Sequence, residues 1–339
     1  MKSKERILSI LSNKKPDKIP FAPAIYEHKA ALINKTPSEV SQNVDLLCYS
    51  IEKEYETYQP DILVVGIDIY NIEAEALGCE VNYNCGNEVP TIKNRILNDS
   101  NLKDLKIPNP LKDGRMPIII EASKKICTKY GNDVYICCGV SGPFSLASSL
   151  MGDENLLITS IENPEYLNDV LGFTTEVIKK YSQSILETGS DVIVFDSASA
   201  PPLVSPNQFK ENILPFVKDL FNHLKTNGSK FLSYIVGGNT ISNVDSYIEA
   251  GIKNIICDFN ANINEFIEKA KTSDITIRKN INPLHLINKN KAEIKSEVTQ
   301  IMELSKDFHR IIIGTGILPY NTDPEMVQHL KKIIYDFIL

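Results

Sequence analysis

Asp191-Val192-Ile193-Val194-Phe195-Asp196-Ser197 is the stretch that decides the fold, because seven similar runs occur elsewhere in the chain. Each run is a short apolar segment, and most of the runs end in polar or small residues. Runs of this length and composition are typical of buried β-strands. The other seven are Ile19–Ile25, Ile62–Tyr70, Val134–Val140, Lys230–Val236, Asn254–Phe259, Ile275–Ile281 and Arg310–Ile317.

Segments with helical spacing separate nearly all of these runs. Eight strands that alternate with helices predict an α/β fold, a closed (β/α)8 TIM barrel. We expect one domain over residues 1–339, with an N-terminal helical extension at Ser3–Asn13 that caps the bottom of the barrel. Residues 71–115 and Pro143–Glu187 predict enlarged loops after strands two and three. A 3–4 spacing of apolar residues predicts one long helix over Pro37–Tyr58.

Composition excludes several classes of function. The net charge of −7, with no clustered stripe of lysine and arginine, argues against nucleic-acid binding. No apolar run approaches the roughly 18 residues that span a bilayer, and the first residues do not resemble a signal-peptide core. The seven cysteines include no Cys-x-x-Cys pair, and several lie inside apolar runs as buried thiols would. We therefore expect a soluble, cytoplasmic protein that binds neither nucleic acid nor membrane.

Candidate site residues follow the runs, because the chemistry of such barrels lies at the carboxyl ends of the strands. Asp68 comes after four apolar residues, where burial would raise its pKa unless a donor compensates. Tyr26 and His28 follow the first run, as a candidate substrate contact and a candidate general acid or base. Glu73 lies just beyond the second run. Structural roles remain open alternatives: Asp68 could cap a turn, and His28 could simply open the next helix.

Further candidates follow the later runs. Asp196, Asp258 and Asn280 can each hydrogen-bond a ligand or cap an internal turn. Asn239 lies in the Gly-rich end of the fifth run, and Thr315 and Gly316 lie in that of the eighth. Glycines at two strand ends let backbone amides approach a bulky or anionic ligand. Four residues on the loop after strand two could ligate a metal: Glu73, Glu75, Cys79 and Cys85. Glu73 and Glu75 would diverge on a helix, so the sequence gives little support for a joint metal site.

Several segments resemble the uroporphyrinogen decarboxylase superfamily, and the resemblance covers nearly the whole chain. The segments are Ser141–Ser148, Gly189–Asp196, Leu203–Pro206, Phe209–Phe216, Gly238–Thr240 and Asn282–Leu284. The resemblance implies one of two classes of activity, porphyrinogen decarboxylases or cobamide-dependent methyltransferases. The Gly-Pro-Phe-Ser-Leu-Ala stretch within Ser141–Ser148 looks nearer to the methyltransferase branch.

The decarboxylases bind a polycarboxylate with an arginine-rich segment after strand one, and this chain has no arginine there. Most of its five arginines fall away from the predicted strand ends: residues 6, 95, 115, 278 and 310. Buried carboxylates without paired cations are very costly. Asp68 does match the pyrrole-binding aspartate position of the family. We therefore do not expect uroporphyrinogen itself to be the substrate.

The thiol-methylating branch holds zinc with His-x-Cys on strand five and a further Cys on strand eight. Our alignment places Tyr234, Val236 and Gly316 at these positions, so we expect no metal site and no zinc there. Tyr234 would then project where zinc stands in the family, as a hydrogen-bond donor or general acid. Asp68, His28 and Glu73 would be the candidates to protonate or orient a leaving group.

These expectations describe a corrinoid-linked methyltransferase that transfers a methyl group between a cobalamin and a small-molecule donor or acceptor. The cobalamin would be carried by a separate corrinoid protein, because the chain lacks the Asp-x-His-x-x-Gly feature of a cobalamin module. The resemblance is also compatible with a homodimer. Two alternatives remain open: a decarboxylase or lyase acting on a smaller acid, and a non-catalytic relative that binds a corrinoid or another ligand.

Overall fold

The computed structural model describes residues 1–98 and 101–337, so residues 99 and 100 of the long loop lie outside the described residues. The strands are β1 (Phe21–Ala24), β2 (Ile62–Val65), β3 (Glu80–Asn82), β4 (Thr91–Asn94), β5 (Tyr135–Ser141), β6 (Asp191–Phe195), β7 (Ser233–Ile235), β8 (Asn254–Cys257), β9 (Thr276–Ile281) and β10 (Ile311–Ile317). Every apolar run predicted as a strand coincides with one of them, and only β5 extends beyond its run, by the single residue Ser141.

Helices surround the strands. They are α1 (Ser3–Leu11), α2 (Glu27–Ala31), α3 (Pro37–Ser41), α4 (Val44–Tyr58), α5 (Ile72–Ala76), α6 (Met116–Tyr130), α7 (Pro143–Met151), α8 (Asp153–Glu162), α9 (Pro164–Leu186), α10 (Pro206–Gln208), α11 (Leu214–Thr226), α12 (Val244–Glu249), α13 (Ile263–Lys271), α14 (Pro283–Ile287), α15 (Lys291–Ser305) and α16 (Pro324–Asp336). A π-helical turn at Phe209–Ile213 joins α10 to α11. None of the described helices is both long and apolar enough to cross a membrane.

Within the described residues, eight parallel strands form one sheet in the order β1-β10-β9-β8-β7-β6-β5-β2. The sheet curves until its edge strands β1 and β2 meet. The backbone N–H of Asp61 donates to Phe21 across this seam, and the Asp61 carboxylate accepts the N–H of Phe21 in return. The predicted TIM barrel is therefore confirmed, with a side chain completing its closure.

Two separate apolar clusters follow from the alternation of side chains along each strand. The larger cluster packs the helices against the outside of the barrel, and Val192 and Val194 of β6 belong to it. The smaller cluster fills the barrel interior, and Ile193 and Phe195 of the same strand belong to it. Ile7 and Ile10 of α1 join the interior cluster and are fully buried. The N-terminal helix therefore plugs the bottom of the barrel, as predicted.

The two enlarged loops are confirmed. The first carries α5 and an antiparallel hairpin of β3 and β4, and the second contains the three helices α7, α8 and α9. The predicted helix Pro37–Tyr58 is two helices, because Asn43 adopts an extended conformation and caps α4 by accepting the N–H groups of Asp45 and Leu46.

Candidate active site

A cavity of about 280 Å³ opens at the carboxyl ends of the barrel strands. This volume lies at the small end of the roughly 300–1,000 Å³ that is typical of small-molecule sites. Its walls are mostly apolar, and a few polar groups converge on it. The lining residues are Ala24, Tyr26, Ile69, Tyr70, Phe195, Ser197, Ile235, Gly237, Ile256, Asp258, Phe259, Arg278, Asn280, Pro283, Thr315, Gly316 and Ile317.

Five of the predicted substrate-binding residues line this cavity: Tyr26, Asp258, Asn280, Thr315 and Gly316. Asp258 is fixed by three donors. Its Oδ1 accepts the N–H of Phe259 at 2.9 Å and Nδ2 of Asn280 at 3.1 Å, and its Oδ2 accepts the N–H of Gly238 at 3.0 Å. One lone pair of Oδ2 therefore remains available for a ligand.

The other three predicted residues that line the cavity, Thr315, Gly316 and Tyr26, are held by their neighbours. The Thr315 hydroxyl accepts the N–H of Ala24 at 3.0 Å, which ties β10 to β1 beside the cavity. Gly316 is closely packed, because a Cβ there would lie 2.8 Å from Cγ of Pro283. Tyr26 packs edge-on against Phe195 at a centroid distance of 6.1 Å, and burial raises the pKa of its hydroxyl.

Asp68 does not line the cavity. β2 ends at Val65, and Gly66 follows with φ of +118°, so the chain turns before Asp68 is reached. The Asp68 carboxylate is buried, accepts Nη2 of Arg115 at 2.8 Å and accepts Nδ2 of Asn71 at 2.8 Å. Burial raises its pKa, and the Arg115 charge opposes that shift. The described geometry therefore places Asp68 in a buried ion pair that anchors the long loop.

His28 is also away from the cavity, and both of its ring nitrogens are engaged. Nδ1 lies 3.0 Å from the carbonyl of Tyr320, and Nε2 lies 2.7 Å from the hydroxyl of Tyr58. Because a carbonyl only accepts, Nδ1 carries the proton and Nε2 accepts the Tyr58 hydroxyl. Burial lowers the pKa of His28. The imidazole thus connects α2 and α4 to the loop after β10.

Tyr234 and Asp196 face the helices instead of the cavity. In β7 the side chain of Ile235 points inward, so the adjacent Tyr234 points outward and packs against Tyr247 and Phe221. The Tyr234 hydroxyl donates to Oδ2 of Asp196 at 2.8 Å. On β7 it is therefore Ile235, and not Tyr234 as we expected, whose side chain faces the cavity.

The segment that carries the strongest family resemblance surrounds this same carboxylate. Oδ1 of Asp196 accepts the N–H of Ser145 at 2.6 Å, and a Cβ on Gly142 would lie 2.2 Å from its Cγ. The glycine therefore makes room for Asp196. Burial raises the pKa of Asp196 to about 6. This arrangement joins β5, β6 and β7 behind the cavity wall.

Glu73 and Asn239 complete the predicted set, and neither lines the cavity. Glu73 is fully buried in α5, where it accepts the N–H and the hydroxyl of Ser141 at 2.8 and 3.1 Å. Burial raises its pKa to about 7. Asn239 is exposed at the rim, where its side chain accepts the N–H of Ile241.

Arg278 is a lining residue that the sequence reasoning did not select, because candidates were sought at the strand ends. It lies in the middle of β9 with its side chain inside the barrel and 7% exposed. Tyr70 and Ser197, whose oxygens lie 2.7 Å apart across the mouth, were also not selected. The alternation of side chains could have indicated Arg278 from the sequence, because Thr276, Arg278 and Asn280 share one face of the strand.

Comparisons with known proteins agree with the fold. The sequence model of the uroporphyrinogen decarboxylase (URO-D) family matches residues 2–337. A solved methyltransferase structure from Methanosarcina mazei superimposes with a TM-score of 0.87 at 21% identity, covering 99% of each chain.

Curated relatives carry the names of both classes of enzyme. The methylcobamide:CoM methyltransferase MtaA of Methanosarcina barkeri is 28% identical over 213 residues, and the match spans 61% of this chain and only 62% of that relative. MtbA of Methanosarcina acetivorans, also named a methylcobamide:CoM methyltransferase, is 26% identical over 73% of this chain and 69% of its own length. The uroporphyrinogen decarboxylase of Carboxydothermus hydrogenoformans is 23% identical over 86% of this chain and 84% of its own. Because the family match takes in nearly every residue, the chain belongs to the uroporphyrinogen decarboxylase family.

Proposed function

We propose that the protein is a methyltransferase that transfers a methyl group between a corrinoid and a small substrate. The observation that carries this proposal is the size and position of the cavity, together with the names of the methylcobamide:CoM methyltransferase relatives. A volume of about 280 Å³ accommodates a small substrate, whereas a corrin macrocycle is far larger. The reaction would therefore take place at the mouth, between a buried substrate and a group that docks from outside.

The residues at the mouth fit such a docked group. A Cβ built on Gly237 or Gly238 meets no heavy atom within 4 Å, so these strand-end glycines leave open space. Ile317 lines the cavity and is 53% exposed, and Leu284 and Ile287 of α14, which begins at the lining residue Pro283, are 55% and 42% exposed. We propose that these residues contact a corrinoid on a separate corrinoid protein, which supplies a methyl group on cobalt that a nucleophile can accept.

Asp258 is the residue that we assign to proton transfer. An acceptor O–H, N–H or S–H that gains a methyl group loses its proton, and the free lone pair of Asp258 Oδ2 is placed to receive it. Asn280 and the two backbone donors hold the carboxylate in position. In this assignment Asp68, His28 and Tyr234 support the structure of the site and do not touch the substrate.

We also propose that the transfer proceeds without the thiol-activating zinc of the family. Alternation along β7 places Ile235 and Gly237 on the cavity wall, one residue away from the pair that we aligned with the zinc ligands. Ile235, Gly237 and Gly316 have no side-chain atom that can bind zinc. The proposal therefore holds whether the family's ligands correspond to Tyr234 and Val236 or to Ile235 and Gly237. Metal analysis of the purified, active protein tests it, because stoichiometric zinc would contradict it.

The methyl-transfer proposal is tested by anaerobic incubation with cob(I)alamin and a panel of methyl donors: aryl methyl ethers, methylamines and methyltetrahydrofolate. The visible spectrum should report donor-dependent formation of methylcob(III)alamin. Gly237→Val should reduce the rate at least roughly tenfold by filling the mouth, without a loss of folding. Gly172→Ala in α9, remote from the cavity, is the matched control. No spectral change with any donor, beside an active control enzyme, would contradict the proposal.

A decarboxylase or lyase acting on a small acid is the second candidate, and Arg278 favours it. A guanidinium inside the cavity supplies the cation that an acid substrate needs, and part of the family carries the decarboxylase name. Release of carbon dioxide from a small acid in the absence of any corrinoid would support this candidate. Tight corrinoid binding without any turnover would instead indicate a non-catalytic relative.

A further inference from the structure

Arg278 lies at the floor of the cavity, between the open mouth and a smaller space beneath it. Its side chain lines both spaces and is 7% exposed. The guanidinium packs over Gly314 of the neighbouring strand β10, where a Cβ would lie 2.3 Å from Nε. The glycine at this position therefore provides the room that brings a large cation into the interior of the barrel.

The guanidinium has no partner among the described residues. No hydrogen bond or ion pair joins it to residues 1–98 or 101–337, and Nε is fully buried. Arg6 and Arg115, which are also buried, each pair with two carboxylates. A buried charge without a partner is costly, so this position favours a state in which an anion neutralises it. Burial lowers the pKa of Arg278, and the nearby Tyr26 and Asp258 oppose that shift without reaching hydrogen-bond or ion-pair distance.

Two further groups near Arg278 are unsatisfied. Oδ1 of Asn280 is buried and accepts no hydrogen bond from the described residues. Tyr26 lines the same cavity and interacts electrostatically with Arg278, and its hydroxyl makes no hydrogen bond to the described residues. The cavity thus offers a cation and a hydroxyl donor to an anion, and an amide oxygen to a donor on the ligand. The walls of Ile69, Phe195 and Ile256 suit an apolar body.

We propose that Arg278 and Tyr26 bind the oxyanion head group of a small organic substrate at the floor of the cavity. The acid end of the substrate points inward, its apolar body contacts the cavity walls, and its reacting group points toward Asp258 and the mouth. The direction of the reacting group rests on the proposed function. The oxyanion site does not, because it follows from the unpaired guanidinium alone.

Binding of simple probes tests the site without any corrinoid. Isothermal titration calorimetry at constant ionic strength would compare propionate, ethanesulfonate and the neutral propionamide. Both anions should bind saturably, and propionamide should bind at least about tenfold more weakly. The difference between the two anions identifies the preferred head group. Equal binding of propionate and propionamide, or no saturable binding of either anion, would overturn the proposal.

Arg278→Met is the decisive variant, because it keeps a flexible, unbranched side chain and removes the guanidinium with its charge. Anion binding should weaken at least about tenfold, while the ligand-free variant should unfold at a higher temperature than the wild type. Arg95→Met changes an exposed arginine in the same way and should alter neither quantity. Undiminished anion binding by Arg278→Met would refute the site. Anion binding without methyl transfer would refute only the proposed function.

Discussion

Asp196 and Asp258 each follow the end of a barrel strand, yet they face opposite sides of the barrel wall. Asp196 comes one residue after the inward-facing Phe195 and therefore faces the helices. Asp258 comes two residues after the inward-facing Ile256 and therefore faces the cavity. A shift of one residue along a strand exchanges its two faces. This parity decides whether a carboxylate can meet a ligand.

Tyr234→Phe should destabilise the protein by about 2 kcal/mol, because it removes the hydroxyl that donates to the buried Asp196 carboxylate. Methyl transfer should change little, because the ring lies behind the cavity wall. Urea unfolding and the initial rate of methyl transfer measure the two effects separately.

Tyr247→Phe is the control for this variant. The ring of Tyr247 packs on Tyr234 at a centroid distance of 5.2 Å, and its buried hydroxyl has no hydrogen-bond partner among the described residues. Its loss should therefore leave stability nearly unchanged. If Tyr234→Phe instead slowed transfer by roughly a hundredfold at unchanged stability, Tyr234 would act directly on the substrate.

Glu73 should make stability depend on pH. Its pKa is raised from 4.5 to about 7 by burial, so between these values the folded protein binds more protons than the unfolded chain. Stability should therefore fall as pH rises through this window, by about 3 kcal/mol from this residue. Glu73→Gln should lack this dependence, so its stability relative to the wild type should rise from pH 4.5 to pH 7.

Urea unfolding at a series of pH values measures this difference. The exposed Glu162→Gln serves as the control, because its stability relative to the wild type should stay constant over the same range. A constant difference between Glu73→Gln and the wild type would show that the buried carboxyl does not titrate in this window.

Neighbouring side chains of β9 face opposite sides of the barrel wall, the interior and the surrounding helices. Arg278 and Asn280 point into the cavity, whereas Lys279 points outward and donates to the carbonyls of Asp258 and Ala261 at 2.8 and 3.1 Å. The outward cation is thus satisfied by backbone groups, and the inward cation is left for a ligand. Two adjacent basic residues therefore have different chemical roles.

Gly314→Ala should test how closely β10 accommodates Arg278. The new Cβ would lie 2.3 Å from Nε of Arg278 and 2.9 Å from the carbonyl oxygen of Ala22. We expect a loss of about 1–3 kcal/mol from overpacking, together with weaker propionate binding. Gly237→Ala, where a Cβ meets nothing within 4 Å, should keep wild-type stability in the same urea unfolding experiment. Equal stability of the two variants would contradict the close packing.

Most of the elements could be predicted from sequence, because apolar runs and helical spacing are local signals. The site was only partly predictable, because the inward face of a strand depends on where the strand ends. Asp68 closes an apolar run in the sequence, but β2 ends three residues earlier, at Val65, and Gly66 turns the chain there. Arg278 was missed for a related reason, since attention to strand ends overlooks a residue in the middle of one.

At the scale of the whole molecule, the barrel is closed by the carboxylate of Asp61. It accepts the N–H of Phe21 at 2.7 Å, Nη1 of Arg6 at 2.5 Å and the hydroxyl of Tyr335 at 2.7 Å. These donors come from β1, α1 and α16. One fully buried side chain therefore holds together the first helix, the last helix and the seam of the sheet.

Asp61→Asn should lower the free energy of unfolding by about 3 kcal/mol, because Arg6 and Tyr335 lose a buried anionic partner. Hydrogen exchange at the amide of Phe21 should also accelerate. Asp133→Asn removes an exposed ion pair with Lys2 at the same end of the barrel and should cost far less, because solvent screens this pair. Similar losses in the two variants would show that Asp61 does not close the seam.

The separation of the interior cluster from the larger cluster outside the barrel has an evolutionary consequence. Substitutions at Ile235, Ile256 or Arg278 alter what the cavity recognises, while the contacts that attach the helices to the strands stay in place. Single substitutions in the cavity can therefore change the substrate that is bound while the fold is kept. Such an architecture is compatible with one family whose members are named as methyltransferases and as decarboxylases.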